Sequence, residues 1–278
     1  MKKNPIILAT LLIMTANLIG QDLKLMTYNI KYDNTKDTVN NWNDRKESLG
    51  RLIRHYNPSF IGIQEALHHQ LTYIDSCLGN FSFIGVGRDD GKQKGEYTAI
   101  LYDHTKFKVR DDTTFWLSKT PGKVSVGWDA ALERICTYGL FEDLKTKKKL
   151  YVFNTHFDHM GEKAREQSAK LILKKIKEIN NDDLPIVLMG DFNLRPEEKP
   201  IQHIKSKMLD GKEVTEHPFY GPEGTFNGFD WNMVLDHRID YIFVKKFKVK
   251  SYTHIDDRMQ NNKHISDHLP VLISVEKP

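Results

Sequence analysis

The 278-residue chain has few cysteines: Cys77 and Cys136 are its only two, and they lie far apart. Such a pair can bond in an oxidising compartment, but isolated cysteines are more often buried thiols than a disulfide scaffold. No Cys-x-x-C pair is present, and His68 and His69, on a predicted helix surface, are expected to face solvent rather than bind zinc. The sequence therefore does not indicate a soft-metal site.

The chain also lacks a large excess of charge of either sign. Its formal net charge is +4, of which Lys2 and Lys3 contribute two, and it has no long run of like charges. A protein that clamps long stretches of nucleic acid relies on many cationic contacts, so this balance argues against that class. A small phosphate ester is not excluded as a substrate.

Long hydrophobic runs are absent except at the N terminus, between Ile6 and Ile19. This run follows two lysines and is interrupted by polar residues, a pattern typical of a secretory signal peptide. It is short for a membrane span, which makes an uncleaved anchor the less favoured alternative. We predict that residues 1–20 are a signal peptide and that the protein is secreted or periplasmic.

No linker, internal repeat or low-complexity segment divides the remainder, so residues 21–278 are predicted to form one domain. Alternating or short apolar runs predict strands near residues 23–29, 60–65, 81–86, 97–102, 107–117, 135–141, 150–157, 185–190, 238–244, 249–255 and 269–275. Helical spacing predicts helices at 45–55, 67–78 and 162–179, with a short helix after Pro196. Strands and helices do not alternate strictly. The pattern therefore predicts an α/β (α+β) fold, a four-layer sandwich of two packed, mixed and largely antiparallel β-sheets flanked by helices.

Polar side chains follow several of these predicted strands. In the segment Met189-Gly190-Asp191-Phe192-Asn193, a carboxylate and a carboxamide stand two residues apart after a buried run, which predicts that they project to the same side. Similar groups stand at the ends of other strands: Asn29, Glu65, His156, Asp240, and Asp267 with His268. An oxygen-rich cluster of this kind suits a hard cation such as Mg²⁺ or Mn²⁺.

The sequence favours acid/base chemistry over a nucleophilic serine. Ser168 and Ser266 lack the strand-to-helix turn, with a glycine on each side, that presents such a serine. His156 and His268 stand among carboxylates and are the better candidates for proton transfer.

Taken together, these segments resemble the endonuclease/exonuclease/phosphatase (DNase I-like) superfamily of metal-dependent phosphoesterases. They occur in the family's order and span residues 24–275. The matching segments are Met26-Thr27-Tyr28-Asn29-Ile30, Ile63-Gln64-Glu65, Gly95-Glu96-Tyr97, Arg134, Asn154-Thr155-His156, Gly190-Asp191-Phe192-Asn193, Arg238-Ile239-Asp240-Tyr241-Ile242 and Ser266-Asp267-His268-Leu269-Pro270-Val271.

The resemblance implies a role for each of these side chains. Glu65 would hold a divalent metal, Mg²⁺ or Mn²⁺, with Asn29 and Asp267 near it. His268, oriented by Asp240, would be the general base that takes a proton from the attacking water. The resemblance further implies that Asp191 and Asn193 position water and phosphoryl oxygens, that His156 acts opposite with Glu96 as its carboxylate partner, and that Arg134 contacts the substrate phosphate.

The same motifs have alternative interpretations when each is taken alone. Asn29 and Asn193 are also typical of turns, and Asp240 of a solvent-facing strand position. The aromatic residues of the loops at 110–133 and 221–236 are open to two interpretations, because they either bind a base, sugar or lipid or simply pack the loops. They are Trp116, Trp128, Phe226, Phe229 and Trp231.

The resemblance implies a phosphoesterase that hydrolyses a phosphodiester by in-line attack of water, with a DNase-like nuclease or broad phosphodiesterase preferred. The alternative is a phosphatase or phospholipase C-type enzyme acting on a phospholipid or a small phosphorylated metabolite. A non-catalytic binding protein on the same scaffold is less favoured, because all the expected metal and histidine positions are present. The partner would be a phosphate-ester substrate, either nucleic acid or a small phosphodiester. No stable protein partner is implied, and we expect a monomer.

Overall fold

The computed structural model describes residues 22–277, so the predicted signal peptide lies outside the described residues. Within this part the helices are α1 Trp42–Tyr56, α2 His68–Leu78, α3 Glu162–Ile179 and α4 Lys199–Lys205. The strands are β1 Leu23–Asn29, β2 Phe60–Gln64, β3 Phe81–Ile84, β4 Thr98–Asp103, β5 Phe107–Trp116, β6 Ile135–Asp143, β7 Lys149–His156, β8 Ile186–Asp191, β9 Leu209–Asp210, β10 Asp240–Lys245, β11 Val249–His254 and β12 Val271–Val275. None of these helices has the length and apolar character needed to cross a membrane.

The strands form two six-stranded mixed sheets. The first has the order β11-β12-β1-β2-β4-β3 and the second β5-β6-β7-β8-β10-β9. Each sheet contains one parallel pair, β1 with β2 and β7 with β8, and its other pairs are antiparallel. This confirms the predicted architecture of two mixed, largely antiparallel sheets.

Three apolar clusters separate the four layers. Between the sheets, Phe60 of β2 packs in one cluster with Val152 of β7. Helices α1 and α2 cover the outer face of the first sheet, whereas α3 and α4 cover the outer face of the second. Both faces of each sheet are therefore buried over much of their area, which explains why strands such as β2 and β8 are buried along their whole length and largely apolar.

Most elements lie where the sequence pattern predicts them. Helix α3 has the predicted bounds, and most strands differ from prediction by one to three residues at an end. The two-residue strand β9 was not predicted, because so short a segment has no periodicity. The cysteines do not pair: both are free thiols, with Cys136 buried and Cys77 half-buried.

A polar contact fixes the two sheets to each other close to one edge. The Asn154 amide donates to the carbonyl oxygens of Ile63 and Ala99 across the interface, at 2.9 and 2.8 Å, and its Oδ1 accepts from Gln64 Nε2 at 2.6 Å. Gly62 makes room for this contact, since a Cβ atom there would lie 2.8 Å from Asn154 Oδ1. The carboxyl ends of β1, β2, β7 and β8 therefore meet at one edge of the sandwich, which we call the catalytic edge.

Candidate catalytic centre

A buried carboxylate–imidazole pair stands at the catalytic edge. Asp240 is the first residue of β10 and pairs with Asp191, the last residue of β8, because the two strands are antiparallel. The N-terminal end of β10 therefore lies beside the carboxyl ends of the other strands at the catalytic edge. The Oδ2 atom of Asp240 lies 2.9 Å from Nδ1 of His268. Burial alone would lower the pKa of His268, but Asp240 and Asp191 outweigh it and raise that pKa to about 10. The pair has the geometry that the family resemblance implies for an oriented histidine.

Asp191 lies at the centre of the site. Its Oδ2 accepts from Asn29 Nδ2 at 3.0 Å and lies 3.4 Å from His156 Nε2 and 3.8 Å from His268 Nε2. Burial raises the pKa of Asp191 to about 7, with the neighbouring Asp240 adding to the effect. Both predicted acid/base histidines thus face the same carboxylate from different directions.

The three predicted metal-binding residues lie together beside Asp191. Asn29 donates to Glu65 Oε1 at 3.0 Å through the same amide that reaches Asp191. Lys31 Nζ lies 3.0 Å from Asp267 Oδ2 and 3.5 Å from Glu65 Oε2. The Lys31 ammonium thus lies between two carboxylates, which shows that this group of side chains attracts positive charge. The side chains that could coordinate a metal here are two carboxylates and one amide. The residues present therefore fit a hard divalent cation.

Asp191, Asp240 and His268 form a second group with ligand geometry, since one potential ligand atom from each lies within 4.8 Å of the others. The Asp240 and His268 atoms, however, already satisfy each other through their hydrogen bond. We therefore regard Glu65, rather than this group, as the better principal ligand. The structure adds one feature that the sequence did not predict. Asp191 accepts a hydrogen bond from Asn29 and lies beside His268, so it connects the predicted metal-binding residues with the Asp240–His268 pair.

The prediction that Asp191 and Asn193 project alike from one strand is wrong. Strand β8 ends at Asp191, and Asn193 lies beyond it in a turn with a φ of 49°. Its side-chain amide donates to the Phe157 carbonyl at 3.0 Å, while its backbone N–H donates to Asp191 Oδ1 at 2.9 Å. Asn193 therefore fixes the Asp191 carboxylate and the loop after β7.

The predicted pairing of His156 with Glu96 is also wrong. Both Glu96 oxygens accept from Arg88, at 2.7 and 2.9 Å, and burial raises the pKa of Glu96 to about 7. The carboxylate near His156 is Asp191. Burial lowers the pKa of His156, and the positive charges of Arg134 and Arg88 lower it further, so the imidazole is neutral.

Arg134 and Arg88 line a small cavity next to His156. Arg134 is buried, donates through Nε to Asp158 Oδ2 at 3.3 Å, and lies 2.9 Å from Nδ1 of His159. Arg88 is also buried, and within the described chain its Nε has no hydrogen-bond partner. Two guanidinium groups therefore face the side of the site opposite the Asp240–His268 pair.

Three charged residues at this edge were not predicted from the sequence. Lys31 and Arg88 appear there as ordinary loop charges, although each stands close in sequence to a predicted site residue. Arg45 appears as the start of a helix, yet it is 1% exposed and has no carboxylate partner among residues 22–277. Its guanidinium donates to four backbone carbonyls, those of Ile30, Lys31, Asn40 and Ile265, at 2.8 to 3.2 Å.

Arg45 consequently connects the loop after Asn29 with the turn that carries Asp267 and His268. Its guanidinium also lies 5.4 Å from the centre of the Phe229 ring. Neighbouring residues strengthen the connection, because Ser266 Oγ donates to the Asn29 carbonyl at 2.7 Å. The segment after β1 and the turn before β12 thus meet at the catalytic edge.

Comparison with known proteins gives consistent matches. The model of the "Endonuclease/Exonuclease/phosphatase family" matches residues 26–268. The structure of an endonuclease/exonuclease/phosphatase from Bacteroides vulgatus is 39% identical, with a TM-score of 0.88 over 92% of this chain and 99% of that one. A mannosyl-6-phosphatase from Bacteroides thetaiotaomicron is 37% identical, with a TM-score of 0.88 over 91% and 99%. A probable RNA exonuclease from Saccharomyces cerevisiae is 28% identical over 68% of this chain, but the match spans only 41% of its own length.

Proposed function

The chain belongs to the endonuclease/exonuclease/phosphatase family of phosphoester hydrolases, and from this premise we propose that it is a Mg²⁺- or Mn²⁺-dependent phosphatase acting on a phosphorylated sugar. The observation that carries the hydrolytic part is the 2.9 Å contact between His268 and the buried Asp240. Asp240 holds the imidazole with Nε2 directed at Asp191, into the space where an attacking water would lie. His268 takes a proton from that water while the water oxygen attacks phosphorus.

Glu65, with Asn29 and Asp267, would hold the divalent cation. When bound, the cation supplies positive charge that polarises the phosphate and lowers the proton affinity of His268. Lys31 lies between two of these carboxylates and must move aside, which its 32% side-chain exposure permits. Family enzymes are generally dependent on a divalent metal, and the donor set here suits one.

His156 and the guanidinium groups of Arg88 and Arg134 bind the phosphate on the opposite side. A neutral His156 can donate one hydrogen bond to a phosphoryl oxygen, while the arginines stabilise negative charge. A phosphomonoester carries one more negative charge than a diester, but Arg88 is paired with Glu96 and Arg134 with Asp158, so the choice of the monoester is supported by the similarity to the mannosyl-6-phosphatase. The phosphorus–oxygen bond to the sugar breaks as the bond from phosphorus to the water oxygen forms. The sugar oxygen takes a proton from solvent, and His268 then releases to solvent the proton that it took from the water.

The comparisons change the substrate preference that the sequence alone favoured. The mannosyl-6-phosphatase matches almost end to end, whereas the RNA exonuclease match is less similar and spans less than half of that protein. The near-neutral charge also supports a small substrate over long nucleic acid. Phosphodiester hydrolysis remains the second candidate, supported by the exonuclease relative.

We also propose that the protein is exported, on the evidence of the N-terminal signal pattern. The proposed location is secreted or periplasmic, where phosphorylated glycans from outside the cell would be accessible. An activity test on culture fractions of a cell expressing the full chain would check this, and activity confined to the cytosol would refute it.

The experiment for the activity is a substrate panel with Mg²⁺ or Mn²⁺ present. It compares hexose 6-phosphates, inositol phosphates, simple phosphodiesters, sphingomyelin, DNA and RNA. We expect the highest kcat/KM on a hexose 6-phosphate or a glycan that carries one. His268→Ala and Glu65→Ala should each abolish turnover, while Arg51→Ala on the exposed face of α1 should not. Turnover confined to diesters would overturn the monoesterase proposal, and full activity of both site variants would overturn the mechanism.

A further inference from the structure

One surface depression takes no part in the chemistry described above. It has a volume of about 540 Å³, and its wall consists of one aromatic and four polar side chains: Trp231, Asn232, Asp256, Arg258 and Asn262. The Trp231 side chain is 56% exposed, so a large part of its surface is open to a ligand. An exposed ring surrounded by polar groups has the composition of a site for an amphipathic ring.

The polar part of the wall is rigid and close to neutral. Arg258 donates to both oxygens of Asp256, at 2.8 and 3.1 Å, which fixes the two side chains and cancels their charges. The guanidinium N–H groups that remain, the carboxylate lone pairs and the amides of Asn232 and Asn262 offer donors and acceptors side by side. A sugar hydroxyl both donates and accepts, and a sugar ring has an apolar C–H face, so a sugar matches both parts of this wall.

Other ligand classes match it less well. A groove for single-stranded nucleic acid combines its aromatic rings with net positive charge, which the Arg258–Asp256 pair does not supply. A membrane contact would need further apolar side chains around Trp231, and here its wall neighbours are polar.

A buried histidine lies close to one residue of this wall. His264 is 3% exposed, and in the described part of the chain neither of its ring nitrogens has a hydrogen-bond partner. Its Nδ1 lies 3.8 Å from Asp256 Oδ1, and its backbone pairs with that of Arg258. Buried polar atoms without partners are rare in folded proteins, so His264 marks a polar environment next to Asp256, although its ring does not line the depression.

The depression is connected to the catalytic turn through a short segment of chain. The backbone N–H groups of Asn227 and Gly228 donate to the Asp267 carbonyl, at 2.8 and 3.1 Å, and the Phe226 ring lies 5.2 Å from that of His268. Trp231 follows Phe226 by five residues, so their Cα atoms are within about 18 Å of each other. Trp231 therefore lies close enough to the catalytic turn for a glycan of several residues to span the distance.

We propose that this depression is a carbohydrate subsite, in which Trp231 stacks on a sugar ring of a glycan whose phosphorylated residue occupies the catalytic centre. This inference rests on the proposed sugar phosphatase function and extends it. The preferred substrate is then a phosphorylated oligosaccharide rather than a free sugar phosphate.

The test compares kcat/KM of the metal-loaded enzyme on mannose 6-phosphate, on a mannose oligosaccharide with a terminal 6-phosphate, and on p-nitrophenyl phosphate. Trp231→Ala should lower kcat/KM for the oligosaccharide by about 10-fold and leave p-nitrophenyl phosphate unchanged. Trp231→Phe should retain most of the activity, because it keeps an aromatic face. Tyr220→Ala is the matched control, since Tyr220 is an aromatic residue with 77% exposure that does not line the depression.

Calorimetry with the unphosphorylated oligosaccharide separates this inference from the proposed function. Binding to the natural chain that is lost in Trp231→Ala would support the subsite even if no sugar phosphate were hydrolysed. Absence of binding, together with equal kcat/KM for both proteins on the oligosaccharide, would overturn the subsite while leaving the phosphatase proposal intact. A loss in Trp231→Ala confined to dinucleotide substrates would assign the ring to a base and also overturn it.

Discussion

Replacing Arg45 with methionine should both destabilise the protein and slow its reaction. Methionine fills a similar space but cannot donate to the carbonyls of Ile30, Lys31, Asn40 and Ile265. Four backbone acceptors, two of them in buried hydrogen bonds, therefore lose the same partner. The variant also removes the cost of burying a guanidinium, which partly offsets that loss.

The magnitude follows from the burial of Arg45. Each buried acceptor left without a partner typically costs about 1–3 kcal/mol, and the relief of burying the guanidinium offsets part of the total, so we expect a net loss of about 3–5 kcal/mol. In a domain of this size 1 kcal/mol shifts the melting temperature by about 2–4 °C, so we expect Tm to fall by roughly 10 °C. Because Arg45 holds the segments that follow Asn29 and precede His268, a displacement of about 1 Å there should lower kcat on the order of 10²-fold. KM should change less, since neither phosphate-binding arginine is affected.

Thermal melts by circular dichroism and steady-state kinetics well below Tm would measure the two effects. Arg45→Lys should fall between Arg45→Met and the natural chain, because an ammonium reaches fewer of the four carbonyls. Arg51→Met is the control on the same helix: its guanidinium lies 3.9 Å from Glu47 with both side chains exposed, so its cost should stay below about 1 kcal/mol. If Arg45→Met has the same Tm and the same kcat as the natural chain, the guanidinium does not position the site.

Three further predictions concern single groups. Asp240→Asn should lower kcat by about 10²- to 10⁴-fold with little change in KM, because His268 loses the carboxylate that orients it; a kcat within a few-fold of the natural chain would refute the role. Lys31→Met should tighten Mg²⁺ binding in calorimetry by about 1 kcal/mol, roughly 5-fold, because a partly exposed positive charge leaves Asp267; unchanged or weaker binding would contradict it. His254 has its pKa lowered to about 3 by burial, so below pH 6.5 the unfolded chain binds a proton that the folded chain does not. Stability should therefore fall by about 2 kcal/mol between pH 6.5 and 5 in urea titrations, and His254→Asn should lack this component; an identical pH slope in both proteins would disprove it.

The layers of the fold were predictable because they follow from local patterns. The apolar runs of β2 and β8 and the apolar face of α3 carry enough periodicity to specify type and approximate bounds. What the pattern does not specify is the geometry just beyond a strand, where the positive φ of Asn193 turns its side chain away from that of Asp191.

The site was predictable as a set of residues but not as a set of contacts. Asn29, Glu65, Asp191 and His268 stand in recognisable motifs, and the structure brings them together. The partner of Glu96 was not predictable, because Arg88 reaches it through a loop whose course has no periodic signal. The four carbonyl acceptors of Arg45 are backbone groups, so no residue type in the sequence indicates them.

The strand order of the first sheet has a consequence for the time at which activity appears during synthesis. Strand β12 lies inside that sheet, between β11 and β1, although it is the last strand in the described chain. Asn29 and His268 are 239 residues apart in sequence yet share the site. A ribosome-bound chain that has not yet released β12 has β1 unpaired on one side and no catalytic histidine in place. Contacts between such distant segments carry a high loop-closure cost, which is typical of slowly folding proteins. A chain that lacks β12 is therefore expected to lack hydrolytic activity, because both the first sheet and the turn that carries His268 depend on that strand.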